Sequence, residues 1–285
     1  MGKLKDIQKY IERKLLPGHD PDFMIIGAQK SATTTLFYYL NKHPKIAGSS
    51  PKEITYFTRH VFLGKDLAWY RKHFTSLKKD PLFFEATPNY MYFESAAQQL
   101  KQLYPNIKLI IILRDPINRA FSAWNMYREH FIKGNLSKRL PPLNPNGENL
   151  MYKNLTDGRN NFPTFSECIK IEYNLINQKE QSGLNFLRRG LYFDQISMYL
   201  KYFKRDQFFI LGMRDLVNDP KKSIQEILNF LNIKNPETWE PPALKAKNKR
   251  SYNLKIESAD RDMLNEFYKV PNQKLKELLG SDINW

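Results

Sequence analysis

The sequence predicts an α/β fold in which a central parallel sheet is flanked by helices. Three observations carry that expectation. Short apolar runs at 23–26, 81–86, 107–113 and 207–212 alternate with segments whose apolar residues recur at helical spacing. One of these runs, IKLIIIL at 107–113, is almost continuously apolar, as a strand covered on both faces must be. The first run leads through a tight turn carrying one lysine, Lys30, into a hydroxyl-rich helix start at Ser31, Thr33, Thr34 and Thr35.

The elements follow in order. Leu4, Ile7, Ile11 and Leu15 fall at helical spacing, so residues 1–20 read as an N-terminal helical extension ending near Pro17 and Gly18. Residues 21–285 read as a single domain. A strand at 23–26, the lysine turn and a helix to about Asn41 form the first βα unit, closed by His43 and Pro44. The segment 50–57 is a second strand or the loop leading out of it. A short helix with Leu67, Tyr70 and Phe74 precedes the strand at 81–86, and a helix over 95–104 leads into the central strand. After that strand, Asp115 is placed to cap a helix whose first turn holds Pro116 and which continues past Arg119, Ser122 and Trp124. Residues 133–161 carry several Asn, Gly and Pro and no clear period, which predicts a loop insertion. Helices are expected over 164–178 and 192–203, a strand at 207–212, a helix from Asp219 and Pro220 to Leu231, a basic cluster at 245–252, and a final helical region ending at Leu279 and Gly280.

A chain of 285 residues with 41% hydrophobic content can bury a sizeable core. Its 45 Lys and Arg against 29 Asp and Glu give a formal charge of +16, a surface that attracts phosphates, sulfates, anionic polymers or acidic lipids. No zinc-finger spacing or helix-turn-helix stands out, so no specific nucleic-acid partner is expected. The five histidines show no metal-ligand spacing, and no metal is expected. A lone cysteine, Cys168, cannot form an internal disulfide. The beginning of the chain mixes Lys and Arg with isolated apolar residues, and no run approaches the roughly 20 apolar residues of a membrane span. A cytoplasmic protein without a membrane span is the expectation.

Ligands of parallel α/β sheets sit at the carboxyl ends of the strands. Lys30, Glu53, Glu85 and Arg114 each follow an apolar strand candidate, which points to a common site. The first amides of a helix lack intrahelical partners and the peptide dipoles add positive potential there, so the turn at 27–35 suits a phosphate-like anion. It departs from the G-x-x-x-x-G-K-[ST] pattern of a triphosphate loop, since only three residues separate Gly27 from Ser31 and no second glycine precedes Lys30. The residues alone leave other readings open. Thr33 to Thr35 could simply cap a helix, and the chain could be a small-molecule kinase or a non-enzymatic protein that binds an anionic polymer.

The assembled motifs are GAQKSATT at 27–34, PKE at 51–53 before Tyr56 and Phe57, EATPNY at 85–90, LRDP at 113–116 with Ser122, and FYKVPNQKL at 267–275. In that order the chain resembles the P-loop sulfotransferases that use 3′-phosphoadenosine 5′-phosphosulfate (PAPS), most of all the heparan-sulfate sulfotransferase-like branch and its bacterial relatives. The resemblance implies a P-loop-type three-layer fold, PAPS as sulfuryl donor with adenosine 3′,5′-bisphosphate as product, and no metal. It implies that Lys30, Ser31, Ala32, Thr33, Thr34 and Thr35 hold the 5′-phosphosulfate, with Lys30 near the oxygen bridging phosphorus and sulfur. Arg114 and Ser122 would hold the 3′-phosphate, and Tyr192 matches a recurrent tyrosine near the nucleotide. Asn248, Lys249 and Arg250 stand where the family carries a Lys-Gly-Arg loop that closes over the nucleotide, with Lys249 in place of the glycine. Glu53 matches the carboxylate that serves as general base in polysaccharide-modifying members. Ala86 stands where those members usually carry lysine and Thr55 where some carry histidine, so the resemblance leaves the acceptor as a glycan, a lipid or a small metabolite.

Overall fold

Five short strands form one fully parallel sheet, and their sequence order is not their order in space. β1 (Phe23–Gly27), β2 (Ile46–Gly48), β3 (Leu82–Ala86), β4 (Lys108–Leu113) and β5 (Phe208–Gly212) lie in the order β2-β3-β1-β4-β5. The computed structural model describes residues 16–141, 149–180, 183–234, 239–240 and 254–285, so the helix expected within 1–20 and the basic cluster lie largely or wholly outside the described residues.

The alternation of side chains along β1 and β4 makes the three layers. Met24, Ile26, Leu109, Ile111 and Leu113 point to one face, where they meet Ala96, Ala97 and Leu100 of α3 (Glu94–Leu103), Ile196 and Tyr199 of α8 (Tyr192–Leu200), and Leu275 of α11 (Ser258–Leu279). Phe23, Ile25, Ile110 and Ile112 point to the other. There they meet Leu36, Phe37 and Leu40 of α1 (Thr33–Lys42) and Ile224, Ile227 and Leu228 of α10 (Pro220–Phe230). All nine strand residues are fully buried, each contributing about 1.5–3 kcal/mol through the water-exposed area it removes.

Helix ends follow the local sequence. Asp115 accepts from the Asn118 N–H at 2.8 Å and sets Pro116 as the first residue of α4 (Pro116–Ile132). Thr164 and Glu167 close a reciprocal capping box on α7 (Phe165–Asn177). α11 runs through Pro271, which lacks the N–H that would otherwise bond back along the helix.

One open reading closes and one expectation changes. The edge strand is Ile46–Gly48, so 50–57 is the loop leading out of it; the Lys52 backbone carbonyl there accepts the Ala86 N–H at 3.2 Å, and the loop runs beside the end of β3. The 133–161 segment is not structureless in its described part. It holds α5 (Leu136–Arg139) and α6 (Leu150–Thr156), whose Leu136, Met151 and Leu155 are buried against Trp124 of α4 and Phe165 and Ile169 of α7. α2 (Leu67–Arg71) matches expectation, and α9 (Met213–Asn218) is a short helix the periodicity did not show. No helix among the described residues is long and apolar enough to cross a membrane.

Candidate active site

The β1–α1 turn is shaped by close packing and an unusual backbone. A Cβ on Gly27 would lie 2.3 Å from the Met91 sulfur and 2.7 Å from the Met91 Cβ, so the strand must end in glycine for that side chain to pack over it. Lys30 and Ala32 both take left-handed conformations, with φ of 71° and 62°, although neither is glycine. Such positions cost on the order of 1–3 kcal/mol and persist where the surroundings impose them. Ala32 then stands at the N-cap of α1, where an alanine side chain can cap nothing, and the first intrahelical bond is that of Leu36 N–H to the Ala32 carbonyl at 3.1 Å. The leading amides of α1 therefore keep their positive ends for an anion. The Ser31 hydroxyl, fully buried, has no well-formed hydrogen bond, although it lies close enough to favour ionisation of the Tyr192 phenol. An uncapped helix start and an incompletely satisfied buried hydroxyl suit the phosphosulfate end of PAPS.

The neighbouring strand brings the second group of residues. Arg114, following β4, donates from Nη1 to the Lys30 carbonyl at 3.0 Å, which ties the two turns together. Tyr192, the first residue of α8, donates its hydroxyl to the Arg114 carbonyl at 2.8 Å; burial pushes this phenol up to about 12. Ser122 is buried two turns into α4. Lys30, Ser31, Arg114 and Tyr192 are thus joined by contact. Thr33 and Thr35 are buried in the first turn of α1 and Thr34 is half-buried. Asn248, Lys249 and Arg250 lie outside the described residues.

On the other side of β1, the loop after β2 carries Glu53. Its carboxylate pairs with Lys52 Nζ at 2.8 Å, and the same ammonium donates to the Ala86 carbonyl at 3.1 Å. Ala86 pairs in register with Ile25, so this anchor lies one strand away from the lysine turn. The Glu53 side chain keeps 34% of its exposure, enough to meet an incoming molecule. Glu85, one residue before the anchor, is fully buried and accepts the Tyr70 hydroxyl at 2.5 Å. Burial pushes its carboxyl up to about 7; the Thr87, Tyr70 and Tyr90 hydroxyls and the Lys52 charge act in the opposite direction. Glu85 belongs to the foundation of the site and Glu53 to its surface.

Some partners were not visible in the sequence. Lys52 sits among the quoted motif residues, yet only the fold shows that it bridges Glu53 to β3. Tyr70 falls at apolar helical spacing, which hides the fact that its hydroxyl reaches Glu85. Gln29 donates to the Tyr127 hydroxyl at 3.4 Å, and Arg189 donates to Asn89 at 2.7 Å while lying over the Tyr92 ring. The pairing of Tyr192 with Trp285 had no sequence signal at all.

Comparison with known proteins gives the family and the fold. Residues 20–263 match the family described as Sulfotransferase domain. The membrane-associated sulfotransferase kil1 of Dictyostelium discoideum is 29% identical over 93% of this chain and 66% of its own length. Mouse heparan sulfate glucosamine 3-O-sulfotransferase 3B1 is 26% identical over 93% of this chain and 65% of its own. The chain thus spans a little under two-thirds of the length of these relatives. Among solved structures, a sulfotransferase from Alicyclobacillus acidocaldarius superposes with a TM-score of 0.67 at 23% identity, covering 93% of this chain and 98% of that one, which identifies the three-layer P-loop-type fold. With most of its length matched, the chain belongs to the sulfotransferase domain family.

Proposed function

We propose that the chain transfers the sulfuryl group of PAPS to a hydroxyl or amine of an acceptor by in-line displacement. The observation that carries this reading is the uncapped start of α1, tied through the Lys30 carbonyl to Arg114, with a half-exposed carboxylate held one strand away. PAPS supplies the sulfuryl group and leaves as adenosine 3′,5′-bisphosphate.

The residues of the chain divide the work. The α1 amides with Ser31, Thr33, Thr34 and Thr35 hold the 5′ end, and Arg114 and Ser122 hold the 3′-phosphate. Lys30 stabilises the negative charge that grows on the departing phosphate oxygen. Glu53 takes the proton that the attacking acceptor must lose. Lys52 keeps the Glu53 carboxylate in place by its second bond to the Ala86 carbonyl. The names of the relatives favour a sugar hydroxyl as the acceptor, and heparan sulfate is the first acceptor to try.

The test has two readouts. Calorimetry with adenosine 3′,5′-bisphosphate should show saturable binding that Lys30→Ala weakens. PAPS turnover with heparan sulfate should fall about 10²–10⁴-fold in Glu53→Gln while nucleotide affinity stays within twofold. Turnover near that of the unaltered protein would remove Glu53 as the base, and absence of nucleotide binding would remove the reading as a whole.

A further inference from the structure

The geometry points to a function for residues 281–285: we propose that Trp285 is a positioning residue for the 3′-phosphate side of the nucleotide site, acting through Tyr192 on Arg114. The proposal rests on the reading of Arg114 as a 3′-phosphate ligand.

α11 ends at Gly280, whose left-handed φ of 70° turns the chain back toward the sheet. The returning segment is fastened at three points. Asp282 pairs with Lys276 at 3.0 Å, the Asn284 side-chain amide donates to Asp215 Oδ1 at 2.8 Å, and the Asn284 carbonyl accepts the Arg214 N–H at 3.3 Å. Room for that carbonyl exists only because residue 212 is glycine, since a Cβ there would lie 2.0 Å from it. Gly212 pairs in register with Leu113, the residue immediately before Arg114. The segment is therefore clamped to the sheet one strand away from the Arg114 turn.

This clamp sets Trp285 over Tyr192. The two rings stack with centroids 6.1 Å apart and planes 29° from parallel, inside the roughly 4.5–7 Å range of offset aromatic pairs. Tyr192 is 1% exposed and spends its hydroxyl on the Arg114 carbonyl, and Arg114 in turn reaches the Lys30 carbonyl. A line of contacts thus runs from Trp285 through Tyr192 to Arg114 and on to the lysine turn. Removing the indole uncovers one face of the tyrosine ring, widens its motion, and loosens the backbone that carries the Arg114 guanidinium. Trp285 needs no contact with the nucleotide to do this.

Two probes separate this role from general stabilisation. Adenosine 3′,5′-bisphosphate and adenosine 5′-monophosphate differ only in the 3′-phosphate, so their affinities for the full chain, measured by calorimetry, isolate that phosphate. Trp285→Ala should weaken the bisphosphate about three- to tenfold and leave the monophosphate within about twofold. Trp285→Phe should recover most of the loss, and Tyr192→Phe should reproduce it. The double variant Trp285→Ala/Tyr192→Phe should be no weaker than the weaker single one, as expected of residues acting in series. Equal loss for both nucleotides, no loss for either, or additive losses in the double variant would overturn the proposal. Arg114→Ala should erase the preference for the bisphosphate; a preference that survived it would overturn the Arg114 reading and the proposal with it, a result distinguishable from failure of the Trp285 link alone.

Discussion

The β1–α1 and β4–α4 units are neighbours in the sheet, each running from a buried strand through a short turn into a helix, and they finish those turns in opposite ways. In β4–α4 the helix satisfies itself: Asp115 caps the Asn118 amide and Pro116 occupies a position where no N–H is needed. In β1–α1 no side chain caps the helix. Two left-handed residues bring the chain to an alanine N-cap with no side-chain hydrogen bond. On the proposed function, the difference separates two ways of binding an anion on one scaffold. One unit offers its backbone and helix dipole, and the other completes its own helix and contributes the side chains of Arg114 and Ser122.

Between the two units, removing the charge from the backbone-type one should have the larger effect. Lys30→Ala should lower PAPS turnover with heparan sulfate by about 10²–10³-fold, the size seen when one group aimed at developing negative charge is lost. Circular dichroism should show an unchanged fold. A variant within tenfold of full turnover would mean that the α1 amides alone neutralise the leaving group.

Giving α1 an anion of its own would erase the contrast. Aspartate tolerates the left-handed region better than most residues and favours a helix N-terminus, so Ala32→Asp should keep or raise the melting temperature. Its carboxylate would compete with the 5′-phosphosulfate for the same amides, and the affinity for adenosine 3′,5′-bisphosphate should fall about 10–100-fold. Affinity at the unaltered level would show that the helix start is not where the nucleotide binds.

The close approach at the end of β1 can be broken next. Gly27→Ala places a methyl against Met91 Sδ and Cβ, and should cost about 1–3 kcal/mol of stability as an overpacked core contact. Denaturant unfolding of Gly27→Ala, and of Gly27→Ala/Met91→Ala to relieve the clash, measures it. Identical losses in both variants would show that the backbone, and not Met91, demands glycine there.

The same contrast explains what could be read from the sequence. β4 was legible because seven residues at 107–113 are almost all apolar, and the cap Asp115 because one side chain three residues from an amide decides it. β2 was not, because Ile46, Ala47 and Gly48 are too few to show a period, and the strand exists by pairing with Leu82, Phe83 and Phe84. α5 and α6 were hidden for a related reason: with four and seven residues, they are held by burial of Leu136, Met151 and Leu155 and not by any repeating pattern. In the site, the residue types at 30, 53 and 114 were visible. Their links were not, since the contact of Lys52 with Ala86 and that of Arg114 with Lys30 depend on strand register across 34 and 84 residues.

The smallest effect belongs to the self-sufficient unit. Asp115→Ala removes the carboxylate that caps Asn118 and should cost about 1 kcal/mol of stability. If α4 needs its cap only for itself, nucleotide affinity should change less than twofold, because the Arg114 carbonyl and guanidinium are held separately by Tyr192 and Lys30. Thermal unfolding and calorimetry on the same variant decide the point. A drop in affinity of tenfold with a stability loss no larger than expected would mean that the cap also sets the direction of Arg114, and that the two units are less independent than their turns suggest.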